Sequence, residues 1–403
     1  MKSLPYSTFQ EANRIKKSRN LALFGAGNIA QKTLRRLEEK PSFILDNSPN
    51  LWGEIQEGVK IVKPSVLSDS KDSPFIIICT TSFREVSEQL IDFGLQPEQD
   101  FIVSPILNDL RVVDEIQSVK VSMLVTSGAP SAKLGLSEGG VYRIDIDGAD
   151  WNLTKVIDGS AHGIIRKDEG YVLVEDKLGI VELDKDLKIL RSVELPLGSR
   201  GHGISWSAER ESYFIACSYL DQVLQYSEDM QYVRSYDISL KSGNGRGPHH
   251  HINDCYAFGT SIYVSMFSVT GNWKQEIFDG GVVEIDLDSG QRVGNPVRNL
   301  WMPHNITMMQ GEFVVLDSLR GTVLGNNMQE MGKFPGFTRG FAYDGSYLYI
   351  GQSRNRNFSR QLGISNNISI DSGIVIFDER TKVSRTIQLP LTVTEIHGIS
   401  LIK

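Results

Sequence analysis

His162-Gly163-Ile164, His202-Gly203-Ile204 and His397-Gly398-Ile399 are copies of one short motif, and three further stretches align with them: His250-His251-Ile252, His304-Asn305-Ile306 and Arg339-Gly340-Phe341. Successive copies lie 40, 48, 54, 35 and 58 residues apart, close to the length of a four-stranded propeller blade with variable loops. The first five are each followed by a second β-rich run, at 171–175, 213–217, 261–265, 313–317 and 347–351. A third run opens with glycine and ends in an acid at 179–184, 281–286 and 373–378. The copy at His397 lies too near residue 403 for three more strands, so 121–126, 140–145 and 155–157 are assigned to it. Residues 119–403 therefore read as an all-β six-bladed propeller closed by pairing its two ends, which removes exposed sheet edges.

The first strand of a blade lines the central channel, so equivalent residues at its start converge at one mouth. Five of the seven histidines (His162, His202, His250, His304 and His397) take this position, and Arg339 takes it in the remaining blade. The alignment selects His250 over His251. Several neutral imidazoles facing one space suit a divalent transition metal such as Zn, Mn or Fe, typically through three or four ligands. A histidine left over, with His250 as the candidate, could exchange protons near neutral pH. Arg339 offers only donors and stays charged, so its expected role is to grip a carboxylate or phosphate of an anionic substrate. His249, His251, Asn253, Asp254 and Asn305 are candidates to orient the ring. The alternative is that each histidine merely caps its strand. The longest loops (127–139, 241–249, 266–280 and 352–372) fall on the histidine face, and Arg354, Arg356 and Arg360 add positive charge there.

Residues 1–18 form a polar N-terminal segment, 19–110 a domain in which strands alternate with helices, and 111–118 a linker. That alternation implies a parallel sheet with right-handed crossovers. A strand at 20–24 runs into Gly25-Ala26-Gly27-Asn28-Ile29-Ala30 and a helix expected over 28–40. Glycines let a backbone turn tightly and approach a phosphate at a helix N-terminus. Asp46 follows the second strand, near the usual place of an acid that takes a ribose hydroxyl. Gly25, Gly27, Asn28 and Asp46 are thus candidates to bind a nucleotide or nucleotide-sugar. The alternative is a purely structural turn.

The runs FGAGNIAQKTLRRL, FILDNSPNLWG, GVKIVKPSVL and FIIICTTSFREVSEQLIDFGL resemble the small Rossmann-like domains of bacterial nucleotide-sugar and surface-polysaccharide enzymes. The repeated H-G-I motif resembles that of propeller enzymes such as peptidyl-hydroxyglycine lyases and streptogramin lyases. This implies a metal held by His162, His202, His250, His304 and His397. Over the whole second domain the likeness is to an uncharacterised bacterial propeller family associated with surface-glycan gene neighbourhoods, which implies partner proteins in glycan biosynthesis.

The 403 residues are 40% hydrophobic and 23% charged, with a formal net charge of −7, which disfavours a nucleic-acid-binding surface. Cys79, Cys217 and Cys255 lack metal-type spacing and are odd in number, as expected in a reducing cytoplasm. No apolar run reaches membrane-spanning length. The expectation is a metal-dependent lyase or isomerase acting on an anionic sugar or nucleotide-linked sugar. The alternatives are a non-catalytic glycan- or protein-binding propeller and, ranked below it, an NAD-dependent oxidoreductase.

Overall fold

The computed structural model describes residues 7–68, 73–128, 138–239, 248–275, 277–325, 327–355 and 367–402. The chain divides into two compact units, Met1–Glu115 and Ile116–Lys403.

In the first unit, α1 (Phe9–Lys16) lies within the segment expected to be merely polar. Thr8 and Glu11 cap it reciprocally, and Ala12 is buried in the unit's core. The strands are β1 (Leu21–Phe24), β2 (Phe43–Leu45), β3 (Ile55–Gln56), β4 (Val59–Val62), β5 (Phe75–Ile78) and β6 (Phe101–Val103). They form one mixed sheet in the order β3-β4-β2-β1-β5-β6, parallel except for the β3–β4 hairpin. Leu21–Phe24 and Phe75–Ile78 are buried throughout, as strands covered on both faces must be. The helices are α2 (Asn28–Leu34), α3 (Phe83–Asp92) and α4 (Asn108–Gln117). The helix expected over 28–40 stops at Leu34, where i→i+3 bonds from Arg36 and Leu37 tighten the last turn. The expected linker at 111–118 is almost wholly helical, belonging to α4.

The second unit consists, among the described residues, of six four-stranded antiparallel sheets. Their innermost strands are Ala161–Lys167, Gly201–Ser207, Ile252–Phe258, His304–Met309, Phe337–Tyr343 and Gly398–Ile402, in blades 1 to 6. These contact one another in cyclic order. Blade 6 joins Gly398–Ile402 to Lys120–Ser127, Gly140–Asp147 and Asp150–Asp158. The cores lie between neighbouring blades. Phe214, Val223 and Tyr236 of blade 2 pack on Ile252, Ile262 and Val283 of blade 3, and Tyr349 and Ile376 of blade 5 pack on Met123 and Ile144 of blade 6.

Around the axis the backbones nearly touch. A Cβ on Gly163 would lie 2.7 Å from His202 O, and one on Gly203 would lie 2.5 Å from Asp254 Cα. Asp254 in turn accepts bonds from the Asn305 and Ile306 amides, and Asn305 Oδ1 accepts the Gly340 N–H at 2.7 Å. Cβ atoms on Gly340 and Gly398 would reach Gly398 C at 3.3 Å and His162 O at 3.2 Å, closing the circle. Gly163, Gly203, Asp254, Asn305, Gly340 and Gly398 are therefore one layer.

That layer corrects the third-blade alignment. Asn253, not His250, precedes the axial residue there, and the strand begins only at Ile252. The His249-His250-His251 stretch imitates the motif but forms a turn, with all three amides donating to the Asp221 carboxylate and His251 at φ +52°.

Gly163→Ala is expected to destabilise the propeller by about 1–3 kcal/mol, because backbone rather than a pliable side chain blocks the methyl. Gly294→Ala, whose Cβ would meet nothing within 4 Å, should change the urea midpoint far less.

Candidate metal centre at the channel mouth

The inner strands enclose a channel cavity of about 300 Å³, lined at one end by His162, His202, Asn253, His304 and His397. Three of these converge. One ring nitrogen each of His162, His202 and His397 lies within 4.8 Å of the others. The centroids of His162 and His202 are 4.5 Å apart, those of His162 and His397 4.6 Å, and those of His202 and His397 5.8 Å.

The hydrogen bonds define which nitrogens are open. His162 Nε2 lies 2.9 Å from Asp176 Oδ1, an acceptor, so this nitrogen carries the proton and Nδ1 keeps its lone pair. His162 Nδ1 and His202 Nε2 are both buried without a protein partner. Two orphaned imidazole nitrogens in one pocket are costly unless something occupies the space between them. His397 Nε2 is 3.1 Å from Glu395 Oε2, a carboxylate the sequence reading missed. Any side chain at Gly128 would collide here, since its Cβ would lie 2.6 Å from His397 Nε2. The donor set of three imidazoles with carboxylates behind two of them fits a divalent transition metal.

The other expected ring members do not join this trio. His304 Nδ1 lies 2.9 Å from Met302 O and so bears its proton, while Nε2 accepts from Arg339 Nε at 3.1 Å. Both nitrogens of His304 are thereby engaged. His250 Nδ1 lies 2.8 Å from Ser268 O. It is His251 whose ring approaches the trio, 6.2 Å from His202, between Phe267 and Trp273 at 4.5 and 4.6 Å. Arg339 is buried, with NH1 3.6 Å from Glu395 Oε1 and its guanidinium 4.7 Å from the Phe337 ring centroid. It compensates an internal carboxylate instead of presenting itself at the rim. Of the basic loop, Arg356 and Arg360 lie outside the described residues, as do most of loops 127–139 and 241–249.

Burial keeps four of the imidazoles neutral. It lowers His202 and His304 well below the ordinary histidine value, and neighbouring charges add to the effect. His251 and His397 are pushed down to about 3, by burial first, although Glu395 partly opposes the shift at His397. Asp254, at the axis, moves the other way to about 7 because burial disfavours its charge. Asp176 would also rise on burial, but its hydrogen bonds to His162 and Ser160 and the Arg200 charge bring it below the usual carboxylate range.

In the first unit, Gly25 turns at φ +99°, and a Cβ there would lie 3.0 Å from Cys79 O. Gly27 precedes Asn28, the first residue of α2, and a Cβ there would meet nothing within 4 Å. Asp46 Oδ2 accepts the Ala26 N–H at 2.7 Å and its Oδ1 accepts that of Ser48 at 2.8 Å. The acid expected to meet a ribose thus already occupies an amide of the glycine turn.

A family model for a domain of unknown function, DUF4915, matches residues 242–403. No curated protein matches the chain. Among solved structures, a protein of unknown function from Bacteroides caccae is similar at 12% identity and a TM-score of 0.50, over 70% of this chain and 99% of that one. A streptogramin B lyase aligns at 12% identity over 70% and 88% of the two chains, with a TM-score of 0.40. Virginiamycin B lyase from Staphylococcus aureus aligns at 15% identity over 57% and 76%, with a TM-score of 0.38. At these identities the likeness is one of fold, the six-bladed propeller. No helix among the described residues is long and apolar enough to cross a membrane.

The four depressed histidines set a pH dependence. Unfolded histidine binds protons below about pH 6.5, whereas these folded rings do not, so acid favours the unfolded chain. Asp254 and Asp317, both raised by burial, oppose this between their unfolded values and neutrality, but they are two groups against four. Metal-free protein is expected to lose at least about 1 kcal/mol per pH unit from pH 6.5 to 5. A urea midpoint that stays flat over that range would contradict the assignment.

Proposed function

We propose that the protein is a metal-dependent enzyme, a lyase or isomerase acting on an anionic sugar or nucleotide-linked sugar in surface-glycan metabolism. The observation carrying this reading is the trio His162, His202 and His397, one ring nitrogen of each within 4.8 Å of the others, with His162 Nδ1 and His202 Nε2 buried and unpartnered. A divalent ion there would polarise a carbonyl or lower the pKa of a hydroxyl or water. Asp176 fixes the His162 tautomer, and Glu395 orients His397. Arg339 neutralises Glu395 and blocks His304, which makes it a positioning residue. His251, rather than His250, is the further histidine whose ring stands beside the trio, 6.2 Å from His202. The 300 Å³ channel admits a small molecule rather than a polymer.

For the α/β unit we propose nucleotide or nucleotide-sugar binding, or docking of a glycan-biosynthesis partner. Support comes from Gly27, which neither its φ nor packing requires to be glycine, so a ligand's approach would explain it. The Asp46 contact to Ala26 argues against a pyrophosphate at this turn, whether of NAD or of a nucleotide-sugar, and so favours the docking role.

Metal analysis of protein purified without chelators should find about one equivalent of a transition metal, with affinity reduced at least about tenfold in His202→Ala and less severely in Asp176→Asn. His250→Ala should leave metal content unchanged. Fewer than about 0.2 equivalents, with no uptake on reconstitution, would favour the non-catalytic propeller with a structural ring.

A further inference from the structure

With Arg339 committed to Glu395 and His304, the anion-binding role expected of it needs another cation. One stands at the same mouth. Arg200 precedes His202 by two residues, and it is exposed where Arg339 is buried. Among the described residues no carboxylate lies within 4 Å of it. Its NH1 donates to the Tyr219 hydroxyl at 2.7 Å, and the guanidinium lies 5.0 Å from the Tyr219 ring centroid. The backbone beneath is fixed as well. Arg200 adopts φ +46°, a conformation that costs a side-chain-bearing residue energy. Its carbonyl accepts bonds from Ser218 N at 3.0 Å and Ser218 Oγ at 3.3 Å, which tie the two rim loops together. The charge is felt in the site, since it contributes to the shifts of His202, His251 and Asp176.

An arginine fixed at backbone and head, yet without an ion pair among the described residues, is organised to receive an acid from outside. We propose that Arg200, held by Tyr219, anchors an oxyanion of the ligand, a carboxylate or phosphate, beside the His162–His202–His397 trio. This deepens the reading of the trio as a ligand site and makes Arg200 the residue that selects charged over neutral ligands. Tyr219 occupies only NH1, and among the described residues Nε and NH2 have no partner, which suits a two-pronged contact.

The experiment is calorimetric titration of full-length protein with malonate and with inorganic phosphate, both metal-free and after Co(II) loading. The wild type is expected to bind at least one of the two, and which one identifies the anion. Arg200→Gln should weaken that binding at least about fivefold in both metal states, with Arg200→Lys intermediate and Tyr219→Phe weakened less. Co(II) uptake and the urea midpoint should be unchanged in each variant. Equal affinity in Arg200→Gln and wild type would overturn the proposal, as would absence of binding of either anion by the wild type. If cobalt neither binds nor strengthens the anion in the wild type, the metal reading fails while the Arg200 comparison in metal-free protein still decides this one.

Discussion

The crowding of six backbones around one axis is the constraint on which the second unit rests. With a Gly163 Cβ only 2.7 Å from His202 O, side chains larger than hydrogen are excluded at four of six axial positions. The other two hold Asp254 and Asn305, whose short side chains bond to the neighbouring inner strand. Whatever precedes the axial residue in each blade is thereby delivered to the channel mouth. The packing rule that makes the ring and the placement of the histidines are consequences of one geometry.

A second device fixes the segments that lead into the first strands. Glu175 accepts the amides of Ser160, Lys177 and Leu178; Asp221 accepts those of His249, His250 and His251; Asp317 accepts that of Trp301. In each case a buried carboxylate at the end of one strand, or just beyond it, takes up the chain entering a first strand. Such satisfied carboxylates avoid the cost of burying unpaired backbone donors in non-repetitive segments. They also explain the departure from six-fold uniformity in blade 3, where the capture of three successive amides by Asp221 holds His250 and His251 in a turn and leaves Asn253 at the ring position.

The blade count, the inner strands and the motif spacing were legible because the glycine-containing triplet answers a steric demand that recurs in four of the six blades. The trio His162, His202 and His397 could be named for the same reason. His250 misled because identity of letters, His-His-Ile, stood in for register, which the start of the strand at Ile252 and the Asp221 contact set instead. Arg339 was legible as the odd member, but not its engagement by Glu395, a residue outside the motif whose proximity follows only from the fold. Arg200 carried no signal, since an arginine in a loop is ordinary until its backbone conformation and its lack of an acidic partner are seen. In the first unit the alternation of strand and helix was plain, whereas α1 was hidden by a polar composition that its capping box and one buried alanine overcome.

The trio also has a biosynthetic meaning. His162 and His202 belong to the first blades made, whereas His397 arrives with Gly398–Ile402, the strand that pairs with Lys120–Ser127 to complete blade 6. A nascent chain therefore displays at most two of the three imidazoles, and two give weak, exchangeable ligation. Stable loading of the proposed ion would wait for ring closure, a slow, long-range event. Occupancy of the centre would then report that the ring has closed and would guard the unfinished chain against trapping a metal in the wrong place.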